Sequence, residues 1–239
     1  MSKVTIPKGT LLNTATVAIG ATIGVLFGKG LAVSYHDLAL AALGLVTVGI
    51  GIKMFLQAKN ILIVAAALVM GGMLGLALGI QVGIDSFAEW AKHSLGGSGR
   101  FTEAIVTSSV LFCVGPVTLL GCIQDGIEGK IELLAYKSLM DGVASIFLAS
   151  ALGPGVFVSA AVVLVIQSLI TWFAKPLSPL AKDEEMLAET TASGGLILAA
   201  IGLGLLNIRK IPSANFIPAL ILAPLLVVGI RRFFKQRLG

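Results

Sequence analysis

The sequence predicts an all-helical membrane protein that crosses the bilayer about eight times, and three observations carry that expectation. The first is composition: 56% of the 239 residues are hydrophobic and 12% are charged, about half the roughly 25% charged fraction of an average soluble domain. Mean hydropathy is +1.00. The second is a series of apolar runs, each close to the ~20 residues that a helix needs to cross the hydrocarbon. The third is where the basic residues fall. With the N-terminus inside, Lys29, Lys92, Arg100, Arg209 and Lys210 lie in outer segments. The other twelve of the 17 Lys and Arg, from Lys3 and Lys8 to Lys235 and Arg237, lie in inner ones. That asymmetry predicts both termini on the cytoplasmic side of the membrane. The same scatter of bases through short loops speaks against nucleic acid as a partner, despite a net charge of +5.

Taken in order, the expected spans are 11–33, 37–56, 60–81, 104–124, 133–152, 155–174, 192–208 and 214–230. Lys3 and Lys8 before an apolar run, with Ala32-Val33-Ser34 after it, loosely resemble a cleavable leader. The run is long for one, and it reads as the first span. Gly20, Gly24 and Gly28 in span one, and Gly71, Gly75 and Gly79 in span three, recur every fourth position. Such a row makes a groove that admits another backbone, either for tight packing or to line a pore. After span three, IDSFAEWAKH places Ile84, Phe87, Ala88 and Ala91 on one face, which predicts an interfacial helix with Trp90 at the headgroups. His93 is expected to be solvated there. After span six, Ser178-Pro179 predicts an N-capped helix start, and LAKDEEMLAE reads as a solvated cytoplasmic linker. Asn207, Asn215, Pro218 and Pro224 predict irregularity in the last two spans.

A repeat is also visible. Gly44-Leu45, Ile50-Gly51 and Lys59 return as Gly195-Leu196, Ile201-Gly202 and Lys210 at a constant offset, and Phe27 and Lys29 return as Phe173 and Lys175 at a slightly smaller one. Spans one to three (9–81) would then match spans six to eight (155–230), around a central helix pair (104–152) within one integral membrane domain. Five spans separate the starts of the two units, and that odd number inverts the second, as in secondary transporters.

The polar groups of the central pair are the candidate site. Asp141 falls near the middle of span five, where a carboxylate must face protein or water. Lys137 lies one turn earlier, at pairing distance along the helix, and Ser138 and Ser145 extend a polar stripe. If the helix instead started later, Asp141 would be a surface acid. Gln124 and Asp125 close span four at its cytoplasmic end, sharing a face with Thr118 and Gly121. Gly115-Pro116 interrupts that span, and a proline there frees backbone carbonyls, or simply kinks the helix. Gln167 in span six is a further interior polar candidate. Cys113 and Cys122 lie nine residues apart in one expected helix, a rise of ~13 Å, so no disulfide is expected between them.

Enzyme motifs are absent: there is no phosphate-binding Gly-Lys-Ser/Thr loop, no HExxH and no Cys/His cluster. No cofactor is expected, and any metal is undetermined. Two Asp-Gly pairs faintly suggest a lipid phosphotransferase, but this segment holds no arginine.

The segments FCVGPVTLLGCIQDG, KSLMDG, ASGGLILAAIGLGLL and NFIPALILAPLL give the chain a resemblance to the YdfK/YqgA-type family. These are bacterial inner-membrane proteins grouped under a domain of unknown function. The resemblance covers essentially the whole chain and implies a polytopic inner-membrane architecture. It supplies no activity and no functional residues; Thr118 and Cys122 stand where other small residues are expected. Two functions therefore compete. One is transport of a small solute or ion, coupled through an intramembrane Asp. The other is a structural or regulatory protein that packs partner helices on its Gly faces. The bilayer is the expected partner in both, and homo-oligomerisation stays open.

Overall fold

The computed structural model describes residues 6–30 and 32–238, with helix α1 at Lys8–Gly28, α2 at Val33–Phe55, α3 at Ile61–Ala77, α4 at Ile80–Ser94, α5 at Phe101–Cys113, α6 at Pro116–Glu128, α7 at Glu132–Leu152, α8 at Val156–Trp172, α9 at Ala174–Lys182, α10 at Glu184–Leu205, a 3-10 turn at Ser213–Phe216 and α11 at Ala219–Leu238. Lys3, counted among the inner bases, lies outside the described residues, as do the side chains of Lys235 and Arg237. Five segments are by themselves long and apolar enough to cross a membrane. The number rises to eight if each of three bent pairs is one span: α3 with α4 (55°), α5 with α6 (61°) and α8 with α9 (82°).

The bends have local causes. Gly79 turns the chain between α3 and α4 at φ 65°. It therefore leaves the groove expected of it, because the positive φ that glycine tolerates is needed for the turn. Gly115 does the same before α6 at φ 149°, with Pro116 as the first helical residue. Span seven starts earlier than the apolar run suggested. The helix cap lies at Asp183, whose carboxylate accepts from the backbone N–H of Glu185 and Met186, while Pro179 sits inside α9. Glu184 and Glu185 then occupy the first turn of α10, where the helix dipole favours acids. The expected solvated linker is thus helical at both ends.

The chain folds as two compact units. The first comprises 1–45 and 84–178. In it α1 lies along α7, running in the same direction: Gly9 meets Leu134, Gly20 meets Gly142 and Ser145, Gly24 meets Ile146 and Ala149, and Gly28 meets Ser150. The expected glycine groove of α1 is thus filled by the backbone of α7. Gly155, at the start of α8, touches Phe101, and Gly126 touches Thr171 near its end. So α8 runs parallel to the bent α5–α6 pair, and it also packs on α1. One end of this unit gathers Gly9, Asp125, Leu134 and Thr171; the other gathers Gly28, Ser150, Phe101 and Gly155. In α4, Ala88 and Ala91 are buried against Phe101 and Ile105. Phe87 does not join them: it is exposed beside Trp90, ring centroids 5.9 Å apart. His93 is exposed, as expected.

The second unit comprises 46–83 and 179–239. Here α3 runs antiparallel to the last span, Gly71 against Ala219 and Gly75 against the Asn215 carbonyl. Gly51 of α2 and Gly195 of α10 face each other, each at the other's carbonyl. Gln81 and Asn215 clamp one end: the Gln81 N–H donates to Asn215 Oδ1 at 2.9 Å, and the Ala214 N–H to Gln81 Oε1 at 3.1 Å. At the other end Arg231 grips Asp183 and Glu185, and Lys59 pairs with Glu184 at 2.9 Å. Hydrogen bonding from Arg231 holds the Asp183 carboxyl below its usual range. That contribution is therefore present above the ordinary Asp value and is lost as pH falls through the lowered one.

Candidate functional site

The buried face of α7 repeats at helical spacing through Leu134, Lys137, Ser138, Asp141, Ser145 and Leu148, because residues three and four apart share one side. Asp141 is the tenth residue of a 21-residue helix and is only 6% exposed. The alternative of a late-starting helix with a surface acid is therefore excluded. Lys137 Nζ donates to Asp141 Oδ1 at 2.8 Å and Oδ2 at 2.7 Å. Asn13 Nδ2, from α1, donates to Oδ2 at 3.0 Å. Charge-assisted bonds of this geometry are among the stronger ones in proteins. The close approach of α1, permitted by its glycines, is what brings Asn13 within reach.

The two serines play a different part. Ser138 Oγ donates to the Leu134 carbonyl at 2.6 Å, and Ser145 Oγ bonds the carbonyls of Gly142 (2.8 Å) and Val17 (3.1 Å). Their protons are spent on backbone, and Ser145 ties α7 to α1.

Asp125 lies in the last turn of α6 and is 1% exposed, and its Oδ2 accepts from the Gly9 N–H at 3.0 Å. The first N–H groups of a helix lack intrahelical partners and carry the positive end of its dipole, so a carboxylate settles there. Pro116 opens α6, so the chain is broken there, and the alternative of a kink in one continuous helix does not apply. The Gly115 carbonyl accepts from the Leu119 N–H at 3.2 Å, and the Phe112 carbonyl faces Thr118 Oγ1 at 3.4 Å, so these two are not free. The break also puts Cys113 and Cys122 on different helices; both thiols are free.

What remains is a set of buried polar atoms without hydrogen-bond partners: Thr10 Oγ1, Asn13 Oδ1 and Thr14 Oγ1 on α1, Gln124 Oε1 on α6, and both amide atoms of Gln167 on α8. Register places them near one another in depth. Gly126 abuts Thr171, and its neighbour Asp125 holds Gly9. Moving four residues inward along each helix, about 6 Å, reaches Gln167 on α8 and Asn13 on α1. Buried polar groups are nearly always partnered, by protein, water or ions. Among the described residues no three His, Cys, Asp or Glu gather to hold a metal ion. The polar groups here are instead one carboxylate, already paired with Lys137, and neutral oxygens and an amide. Sequence reasoning missed Thr10, Asn13 and Thr14. Their spacing with Val17, at i, i+3, i+4 and i+7, is the signal that marks them as one helix face.

These features define an all-helical protein with several helices of membrane-spanning length and a buried Lys–Asp pair at mid-helix. The family model described as "Protein of unknown function (DUF554)" matches residues 8–228, and the chain belongs to that family. It is 29% identical over 230 residues to "Uncharacterized membrane protein YdfK" of Bacillus subtilis (strain 168), covering 94% of this chain and 97% of that protein. It is 28% identical over 221 residues to "Uncharacterized protein YqgA" of Escherichia coli (strain K12), covering 90% and 94%. No solved structure matches.

Proposed function

We propose that this chain moves a small solute or ion across the bacterial inner membrane by cation-for-proton exchange at Asp141. The observation that carries this reading is the buried Lys137–Asp141–Asn13 cluster, in which Asn13 Oδ1 is unpartnered. The pair is neutral as it stands. A cation arriving at Asp141 competes with the Lys137 ammonium, and the incoming charge is offset when Lys137 gives up a proton. Asn13 Oδ1 supplies neutral coordination beside it, and Gln167 lies at the same depth. The chain acts as a carrier and not as an enzyme, with the bilayer and the transported species as its partners. The competing scaffold reading requires open Gly faces, whereas Gly20, Gly24, Gly28, Gly71 and Gly75 are all met by the chain's own backbone or side chains.

The inverted repeat belongs to the same proposal. Pairing of α1 with α8 in one unit, and of α2 with α10 and α3 with α11 in the other, supports it, since each pair joins corresponding spans of the two halves. An experimental structure in which 9–81 and 155–230 fail to superpose would remove it. Orientation is proposed with both termini cytoplasmic, on the twelve-to-five split of basic residues. Cysteine labelling of Pro154→Cys, in a background lacking Cys113 and Cys122, tests this. Pro154 is exposed, whereas a side chain at Gly155 would strike Phe101. Labelling from outside is expected, and labelling only from the cytoplasm sinks the orientation.

The function itself is tested by flux in proteoliposomes beside thermal stability in detergent, wild type against Asp141→Asn and Asn13→Ala. Both variants are expected to remain folded while flux or its pH dependence is lost in the first and weakened in the second. Wild-type flux in a folded Asp141→Asn protein eliminates Asp141 as the coupling residue.

A further inference from the structure

The second unit holds a buried carboxylate that the reading above does not use. Glu189 of α10 is fully buried, and its Oε1 accepts from the backbone N–H of Lys59 at 3.0 Å and of Asn60 at 2.7 Å. Asn60 caps α3 with its own side chain, which accepts from Leu62. Capping the start of α3 thus accounts for one Glu189 oxygen. It does not account for the other. Glu189 Oε2 is buried with no hydrogen-bond partner, and so is the hydroxyl of Ser193, one turn further along the same face of α10. A buried carboxylate oxygen without a donor is costly, and a buried hydroxyl beside it compounds the cost.

Charge at this end of the unit points to what would satisfy them. Asp183, Glu184, Glu185 and Glu189 lie within one stretch of chain. Arg231 is engaged by Asp183 and Glu185, and the Lys59 ammonium by Glu184. Hydrogen bonding to Glu189 comes only from backbone amides among the described residues. A neutral donor would leave the buried Glu189 charge with no hydrogen-bonded cation; a small cation at Oε2 would supply one. We propose that Glu189 Oε2 and Ser193 Oγ form a binding site for an alkali-metal cation. One carboxylate oxygen with one hydroxyl lacks the clustered acids, imidazoles or thiolates that divalent metals use, and its single charge is balanced by a monovalent ion. The backbone amides fix the carboxylate, so the ligand oxygen is held in place before the ion arrives. This site is separate from Asp141 and does not depend on transport.

The test is thermal unfolding of the purified full-length protein in detergent, titrated with NaCl or KCl against choline chloride at equal ionic strength. Wild type is expected to show a saturable rise in midpoint with at least one alkali chloride and none with choline. Glu189→Gln should remove this site's share of the rise, and all of it in the Asp141→Asn background. Ser193→Ala should shift the half-saturating concentration upward by about tenfold or more, the factor expected when one contact to a charged partner is lost. Asp141→Asn, which removes the cation site of the transport reading, should still show a saturable rise with the alkali chloride, and this separates the two sites. If Glu189→Gln does not fold, Ser193→Ala and the choline comparison still decide. Equal responses to choline and alkali chlorides, or a wild-type titration in Ser193→Ala, overturn the proposal.

Discussion

Replacing Lys137 by Met is expected to destabilise the protein by about 3–5 kcal/mol, because removing one partner of a buried pair leaves the other charge uncompensated. Asp141 would keep only Asn13 as a hydrogen-bond partner, with its side chain 9% exposed. The double variant Lys137→Met with Asp141→Asn should recover most of the loss, since it removes both charges and keeps an oxygen for Asn13. Asp141→Asn alone should cost less than Lys137→Met alone: a stranded Lys can shed its proton or reach along its stem towards water. The midpoint of thermal unfolding in detergent measures all four proteins. Additive losses in the double variant would show that the pair is not coupled, and would contradict the geometry.

A larger effect still is expected from a single methyl group at Gly24 or Gly75. A Cβ at Gly24 would lie 2.2 Å from the Ile146 carbonyl oxygen, and one at Gly75 would lie 2.0 Å from that of Asn215. Both obstacles are backbone, so relief requires the helices to separate. Overpacking alone costs about 1–3 kcal/mol, and loss of the helix contact adds to it, so Gly24→Ala and Gly75→Ala should fail to give a monodisperse protein. Gly49 and Gly204 serve as controls: both are helical and have nothing within 4 Å of the added atom. Gly49→Ala and Gly204→Ala should be neutral, or stabilising by roughly 0.5–1 kcal/mol through helix propensity. Size-exclusion profiles and thermal midpoints report both outcomes. Equal behaviour of Gly75→Ala and Gly204→Ala would contradict the packing of α3 on the last span.

The pattern of what was legible in the sequence follows the range of the interactions. The Lys137–Asp141 pair, the Gly20-Gly24-Gly28 groove and the Gly115-Pro116 break are local, each contained within a few turns of one helix. The start of α7 followed from the same local periodicity. Asn13 meets Asp141 across 128 residues, Gly9 meets Asp125 across 116 and Asn60 meets Glu189 across 129, and nothing in the chain announces those partners. Glu189 is the sharpest case. In LAKDEEMLAE it is one acid of several, and charge density alone reads as solvent. Only the arrival of the α3 N-terminus, with two donors seeking an anion, makes its burial favourable. Gly79 was misread for a related reason: its spacing fits the groove, while the turn that needs its positive φ is set by where α4 begins.

The most direct test of the central claim is proton movement driven by a cation gradient. Proteoliposomes carrying a trapped pH dye would receive an inward NaCl or KCl gradient, with membrane potential clamped. Wild type is predicted to exchange internal protons for external cations, and the folded Lys137→Met, Asp141→Asn double variant to exchange none. Absence of cation-driven proton movement in wild type, or its persistence at full rate in the double variant, would contradict exchange at the Lys137–Asp141 pair.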